Sequence, residues 1–334
     1  MVQIYATLGP ACAGWEIQEK MFRAGMTGMR LNLSHAGLEE SAELLSAFHK
    51  AAQSAGVEAQ LLFDMQGPEL RVGKMAKVMQ LKEGEIVRLG HWGCDAIPVP
   101  EAAVHAMEVG DEILLNDGKI ALIITRKETS GAEAVVIREG MLSSHKSIKI
   151  TGKQVALPVL TEHDISNIRL ASMYGVTGLM QPFVQSGEDI TFVRRTLQKH
   201  NADHIQIFAK IENRAAVEQL DNIIKEADVV IIARGDLGND MELWELPAVQ
   251  KQIEDACKQA GKPYIVVTQM LASMEEHAIP TRAEVSDIFH AAMHGAYGVM
   301  ITGESAVGKY PIEAVRYLAN TAKSGEEWRK NHAG

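Results

Sequence analysis

Eight short apolar runs, each ending in residues able to do chemistry, recur along this chain. They lie at 3–8, 28–33, 59–64, 178–183, 204–212, 229–236, 264–269 and 298–304. Most are β-branched or Leu-rich and alternate only weakly, as parallel strands buried on both faces do, and most are followed by a segment with helical spacing. Eight such units predict an α/β fold, a TIM (β/α)8 barrel, whose functional residues gather at the carboxyl ends of the strands. Those ends carry Thr7, Arg30, Asn32, Asp64, Lys210, Glu212, Arg234, Asp236, Thr268 and Glu304. Such a set suits an anion and a metal rather than a core.

The rhythm breaks between residues 72 and 155. Alternating runs at 86–89, 112–115, 120–125 and 134–138 are separated there by Glu-Gly, Val-Gly, Asn-Asp-Gly and Ser-Gly turns, which predicts a small β-rich antiparallel domain. The expected organisation is a barrel of 1–71 and 156–334 with residues 72–155 inserted after strand three. Strand-to-helix loops are free to grow over a barrel's mouth, so the insert is expected to act as a lid that excludes water. An amphipathic helix over 311–329 follows the last strand, and no further domain is expected after it.

With 334 residues and 46% hydrophobic content, the chain can bury one large core and a smaller one. Its formal net charge of −10 argues against nucleic acid or an anionic membrane as the main partner. Cys12, Cys94 and Cys257 have neither metal-ligand spacing nor an even-numbered framework, so free thiols in a reducing cytoplasm are expected. No apolar run reaches the ~20 residues that span a bilayer. The first residues, MVQIYATLGP, lack a basic stretch before the first strand, so no signal peptide is expected.

Glu212 and Asp236 end consecutive strands, so their carboxylates can converge above the barrel. Two carboxylates that leave positions open to substrate oxygens suit Mg²⁺ or Mn²⁺. Lys210 stands two residues before Glu212 and therefore points to the same side of its strand. There it can offset charge that builds on a phosphate or enolate oxygen. The Ala233–Gly238 segment, ARGDLG, follows a strand and opens a helical turn whose free N–H groups can bind an anion, and Thr268 adds a hydroxyl nearby. Arg30 suits a phosphate, while Asn32, Ser34 and Asp64 offer oxygens to a monovalent cation; His35, Glu69 and Arg71 stand beside them. Residues 303–309, GESAVGK, match the first seven positions of a P-loop, but Tyr310 and Pro311 stand where its magnesium-binding hydroxyl belongs, so the match is rejected.

Several ordered stretches resemble the pyruvate kinase family: TLGPA at 7–11, RLNLSH at 30–35, GPELR at 67–71, KIEN at 210–213, ARGDLG at 233–238, TQML at 268–271, PTRAEVSD at 280–287, and Gly303-Glu304 with GKYP at 308–311. The resemblance covers essentially the whole chain. It implies transfer of a phosphoryl group between phosphoenolpyruvate (or a close enol phosphate) and ADP or ATP. On that pattern Glu212 and Asp236 hold Mg²⁺, which also contacts the enolate, and Lys210 neutralises the phosphoryl group in flight. Arg30 grips the phosphate, while Thr268 and the Gly235 and Asp236 amides position the carboxylate. Asn32, Ser34, Asp64 and the Met65 carbonyl hold K⁺; Glu69 marks the potassium-dependent branch. Pro10, His35, Arg71 and Lys146 lie on the nucleotide side, Asp117 closes from the lid, and Thr302 keeps a hydroxyl where the family has serine. The PTRAEVSD stretch matches a segment near a barrel–barrel interface, so a homo-oligomer, a dimer first, is expected.

The chain also departs from the family. No regulatory C-terminal domain is expected after the barrel, nor control through one. Gln66 replaces a lysine beside the cation and nucleotide site, and Gln181-Pro182-Phe183-Val184-Gln185 stands where the family has Ala-Ser-Phe-Ile-Arg. Two alternatives therefore stay open: a Mg²⁺-dependent 2-oxo acid lyase or decarboxylase using the same enolate site, and a non-catalytic metabolite sensor.

Overall fold

A computed structural model describes residues 1–332 apart from His35, Pro68, residues 91–95, Asp117, Gln154 and Ala156. The expected strands form, and the first three are β1 (Gln3–Thr7), β2 (Gly28–Asn32) and β3 (Gln60–Asp64). Seven more follow: β4 (Met79–Leu81), β5 (Ile86–Gly90), β6 (Glu112–Leu115), β7 (Ile120–Glu128), β8 (Gly131–Arg138), β9 (Gly140–Leu142) and β10 (Ile148–Ile150). The last five are β11 (Gly178–Gln181), β12 (Gln206–Ile211), β13 (Val229–Ala233), β14 (Tyr264–Val267) and β15 (Gly298–Ile301).

Eight of these close into a parallel barrel of order β1-β15-β14-β13-β12-β11-β3-β2. The chain leaves the barrel after β3 and re-enters at β11, which pairs directly with β3 through Gly178↔Leu62. The inserted segment therefore interrupts a single strand-to-strand crossover. A helix at Glu162–Ala171 completes it, and its N-terminus is closed by a reciprocal Thr161–Asp164 capping box.

Strand parity separates two apolar layers. Tyr5, Leu62, Met180, Phe208, Ile231, Ile265 and Met300 form the barrel's inner cluster. The alternate residues, such as Leu61, Leu179, Ile207, Val230 and Val299, belong to the larger cluster with the surrounding helices. The Tyr5 ring fits because its neighbours on β2 and β15 are glycines: a Cβ on Gly28 or Gly298 would lie 2.9 Å from it. The same period of two then dictates the mouth. Thr7, Asp64 and Lys210 each stand two residues beyond an inner apolar side chain, and Arg30 two beyond Gly28, so all four face inward one layer above the core.

The chain divides into two compact units, one of Met1–Gly67 with Val159–Gly334 and the other of Pro68–Pro158. The second unit begins ahead of residue 72 because Leu70 and Val72 already pair with Ile148 and Lys146, at 2.8 Å each. It runs beyond 155 because Leu157 packs on its core. It holds a five-stranded antiparallel sheet of order β10-β6-β7-β8-β5 and a two-stranded β4–β9 ribbon. The β6–β7 connection turns through left-handed Asn116 and Gly118.

Cys12 and Cys257 are fully buried free thiols. Burial pushes Cys12 up to about 11 and Cys257 up to about 12, so neither offers a thiolate at neutral pH. Cys94 lies outside the described residues. A thiol titration with Ellman's reagent at pH 8 is expected to count no more than one fast thiol in the native protein and three in guanidinium. A second fast native thiol would contradict the packing around Cys12 or Cys257.

Candidate functional site

Four charged side chains crowd the barrel mouth. Arg30 donates from Nε at 2.8 Å and from Nη2 at 2.5 Å to Asp64 Oδ2. Its Nη1 donates to Thr7 Oγ1 at 3.2 Å. The Lys210 ammonium lies 2.6 Å from Glu212 Oε1 and 3.5 Å from Asp64 Oδ1. The lysine thus pairs with both carboxylates, most closely with Glu212. Burial alone would lower the Lys210 pKa; Asp64 and Glu212 outweigh it and hold the ammonium charged, above its ordinary range. Burial pushes the Glu212 carboxyl up to about 7, against the pull of Lys210 and with the Asp236 charge adding to it.

Glu212 Oε2 is fixed by the Phe183 N–H at 2.8 Å. Phe183 takes a left-handed backbone, φ 54°, at the end of β11. Beside it, buried Pro182 occupies the space over Gly67, where a Cβ would come within 2.4 Å of its ring. Buried Gln181 turns away from the mouth by strand parity and donates to the Val159 carbonyl at 3.2 Å, and Gln185 is exposed. Asp236 is exposed in a one-turn helix, Arg234–Gly238, that follows β13. The apolar run at 229–236 therefore ends early as a strand, at Ala233, where the chain turns into that helix.

The next strand ends under backbone strain. Thr268 and Gln269 have φ of 71° and 52°, unusual for non-glycine residues and costly for a β-branched one. Three bonds hold Thr268 in place. Its hydroxyl donates to Val267 O at 2.6 Å and accepts the Gly235 N–H at 2.8 Å, and its carbonyl accepts from Arg234 Nη2 at 2.8 Å. Arg234 is itself anchored to Asp287 Oδ2 at 2.6 Å. The Gly235 amide is thus already engaged by Thr268, so a substrate carboxylate would have to take that bond over.

Glu304 does not join the mouth. It is 1% exposed, with Oε1 accepting from Leu271 N at 2.9 Å and Oε2 from Thr302 N at 2.7 Å. Both oxygens are spent bracing the ends of β14 and β15. Ser305, which the sequence did not single out, braces β1 likewise: its hydroxyl accepts Thr7 N and donates to Thr7 O, both at 2.9 Å. Its sequence signal is the seryl hydroxyl just past a strand end, which is too common to act on. Lys309 of the rejected P-loop pairs with Glu276.

Of the cation candidates, Asn32 Oδ1 accepts Ser34 N at 3.1 Å, and Asp64 serves Arg30 and Lys210 as above. Met65 is buried next to Asp64 in the chain. Pro10 is exposed beyond β1. Arg71 belongs to the second unit, bonded to Glu69 at 2.5 Å and to His145 O at 2.8 Å, and Lys146 lies beside it there. His35 and Asp117 lie outside the described residues. Among the described residues no three His, Cys, Asp or Glu side chains group as metal ligands, and none of the helices is long and apolar enough to cross a membrane. The two carboxylates that the sequence singles out for a divalent metal are Glu212 and Asp236. That all-oxygen donor pair, with Glu212 and Asp236 repelling each other, fits a hard divalent cation that keeps most of its positions for other ligands.

Fold and mouth together define a (β/α)8 barrel with a buried, charge-dense strand-end site, interrupted after its third strand by a β-rich unit. The chain belongs to the pyruvate kinase family: the model "Pyruvate kinase, barrel domain" matches residues 1–315. It is 36% identical over 97% of its length to a pyruvate kinase of Geobacillus stearothermophilus, and 37% over 97% to that of Bacillus licheniformis. It is also 38% identical over 98% to that of Thermococcus litoralis. It spans 57% of the first two relatives and 70% of the third.

Proposed function

We propose that this chain transfers the phosphoryl group of phosphoenolpyruvate, or of a close enol phosphate, to ADP. The observation that carries the reading is Lys210, a buried ammonium held between the Asp64 and Glu212 carboxylates. Phosphoryl transfer is mostly positioning and charge compensation, which such a fixed cation supplies.

In this reading Arg30, aligned by Asp64 and Thr7, holds the phosphate of the donor. The enol C–O–P bridge breaks at its O–P bond while a β-phosphate oxygen of ADP forms the new O–P bond. Lys210 carries the charge of the transferring group across. The enolate left behind takes a proton from a solvent water on its methylene carbon, on the side edged by Thr268 and Thr302. Thr268, Gly235 and the Asp236 amide orient the carboxylate. Glu212 and Asp236 would hold Mg²⁺ or Mn²⁺, which when bound withdraws charge from substrate oxygens. Asn32, Ser34, Asp64 and the Met65 carbonyl would hold K⁺. Pro10, His35, Arg71 and Lys146 are assigned to the nucleotide, and the second unit to a lid role. Small-molecule substrates, a cytoplasmic setting and a homodimer complete the reading.

A coupled assay of pyruvate formation tests it. Turnover is expected to require phosphoenolpyruvate, ADP and Mg²⁺ together, and to fall when Na⁺ replaces K⁺. Pyruvate released from a 2-oxo acid without nucleotide would overturn the reading in favour of a lyase, and ligand-dependent melting with no turnover in favour of a sensor.

A further inference from the structure

At the opposite end of the barrel, where β14 and β15 begin, a cavity of about 390 Å³ lies among Lys258, Lys262, Tyr264, Gly295, Glu326 and Arg329. Its volume is within the range of small-molecule sites. Its charge is unusual for a chain of net charge −10. Arg329 has no hydrogen-bond or ion-pair partner among the described residues. Lys262 donates to an uncharged acceptor, the Ala227 carbonyl. The nearest carboxylate to Lys258 is Asp255, 3.9 Å away and already paired with Lys251. The one acid on the wall, Glu326, accepts from the Met1 amino group and from Lys330, both at 3.0 Å.

Two of these cations are held close together. Gly295 has φ 94°, and the point its Cβ would occupy lies 2.6 Å from Arg329 Nη1 and 3.9 Å from Lys258 Cε. The bare glycine thus lets the guanidinium settle against the backbone with the lysine stem alongside. Like charges brought together without a carboxylate between them repel, and an anion between them removes that cost. The planar guanidinium fork matches phosphate oxygens, and the Lys258 side chain beside it adds a second positive charge that suits a dianion.

We infer that this cavity is a second anion site, distinct from the barrel mouth, that binds a phosphate group, either free or as a small phosphate ester. The test uses inorganic phosphate at constant ionic strength, read by thermal melting of the full chain. It is run in an Arg30→Met background, which removes the phosphate grip assigned to the mouth. Phosphate is expected to raise the Tm, and Arg329→Gln or Lys258→Gln to weaken the apparent affinity about tenfold or more, the worth of a charge-assisted hydrogen bond. Lys199→Gln, exposed at the end of the Gly187–Lys199 helix and off this cavity, is expected to leave the response unchanged. A phosphate ester that outcompetes inorganic phosphate would identify the ester as the ligand. No phosphate-dependent shift, or an equal shift in both cavity variants, overturns the inference. A readout that does not depend on variant folding is acylation of the unmutated chain followed by mass spectrometry. Phosphate should protect Lys258 and Lys262 relative to Lys251, and equal labelling would overturn the site.

Discussion

Lys210→Met is expected to lower turnover by roughly 10³-fold or more while the protein stays folded, on the scale measured for fixed charges that stabilise phosphoryl and oxyanion transition states. Methionine keeps the length and apolar stem but removes the ammonium that faces both Asp64 and Glu212. The neighbouring Arg30 is no substitute, because its Nε and Nη2 are directed at Asp64 Oδ2 and its Nη1 at Thr7. Removing the lysine also leaves two buried carboxylates less compensated, and stability should fall with it. Circular dichroism and a melting curve therefore accompany the rate measurement, taken well below the variant's Tm. A folded variant within tenfold of the parent would remove Lys210 from the chemistry.

The second large effect belongs to Asp64→Asn, and it is an effect on stability first. Asp64 is 2% exposed and is the acceptor that Arg30 and Lys210 share. The amide conserves shape but leaves two cations facing each other across the mouth. Breaking a buried pair in this way costs about 3–5 kcal/mol, since the remaining charge is desolvated without compensation. For a domain of this size that corresponds to a fall in Tm on the order of 10 °C. Arg30 would also lose its alignment, so KM for the phosphorylated substrate should rise even where the protein is folded. A melt within 2–3 °C of the parent, roughly 1 kcal/mol, would show that the network contributes little.

The barrel was legible because its signal is periodic. Runs such as 59–64 and 204–212 place apolar and chemical residues two apart, and the same parity puts Asp64 and Lys210 inside the mouth above Leu62 and Phe208. Adjacency of Lys210 and Glu212 on one side followed from the same rule. What periodicity cannot carry is a partner chosen by tertiary structure. Glu304 looked like a strand-end ligand, yet its acceptor role is fixed by the Leu271 amide, 33 residues away. The Arg234–Asp287 pair joins residues 53 apart, so the pairing could not be read from ARGDLG or PTRAEVSD taken singly. The left-handed Thr268 was illegible for another reason: nothing in a Val-Thr-Gln sequence announces φ above zero, and the strain is borne by contacts from Arg234 and Gly235. In the second unit the longer hairpin strands were legible, whereas the three-residue β4, β9 and β10 are too short to show a period.

The most direct measurement follows ³¹P resonances in one tube of phosphoenolpyruvate, ADP, Mg²⁺, K⁺ and the full chain. Loss of the enol phosphate signal matched one-for-one by a growing γ-phosphate of ATP is the predicted result. An enol phosphate that persists, or that gives way only to inorganic phosphate, would contradict phosphoryl transfer at this mouth.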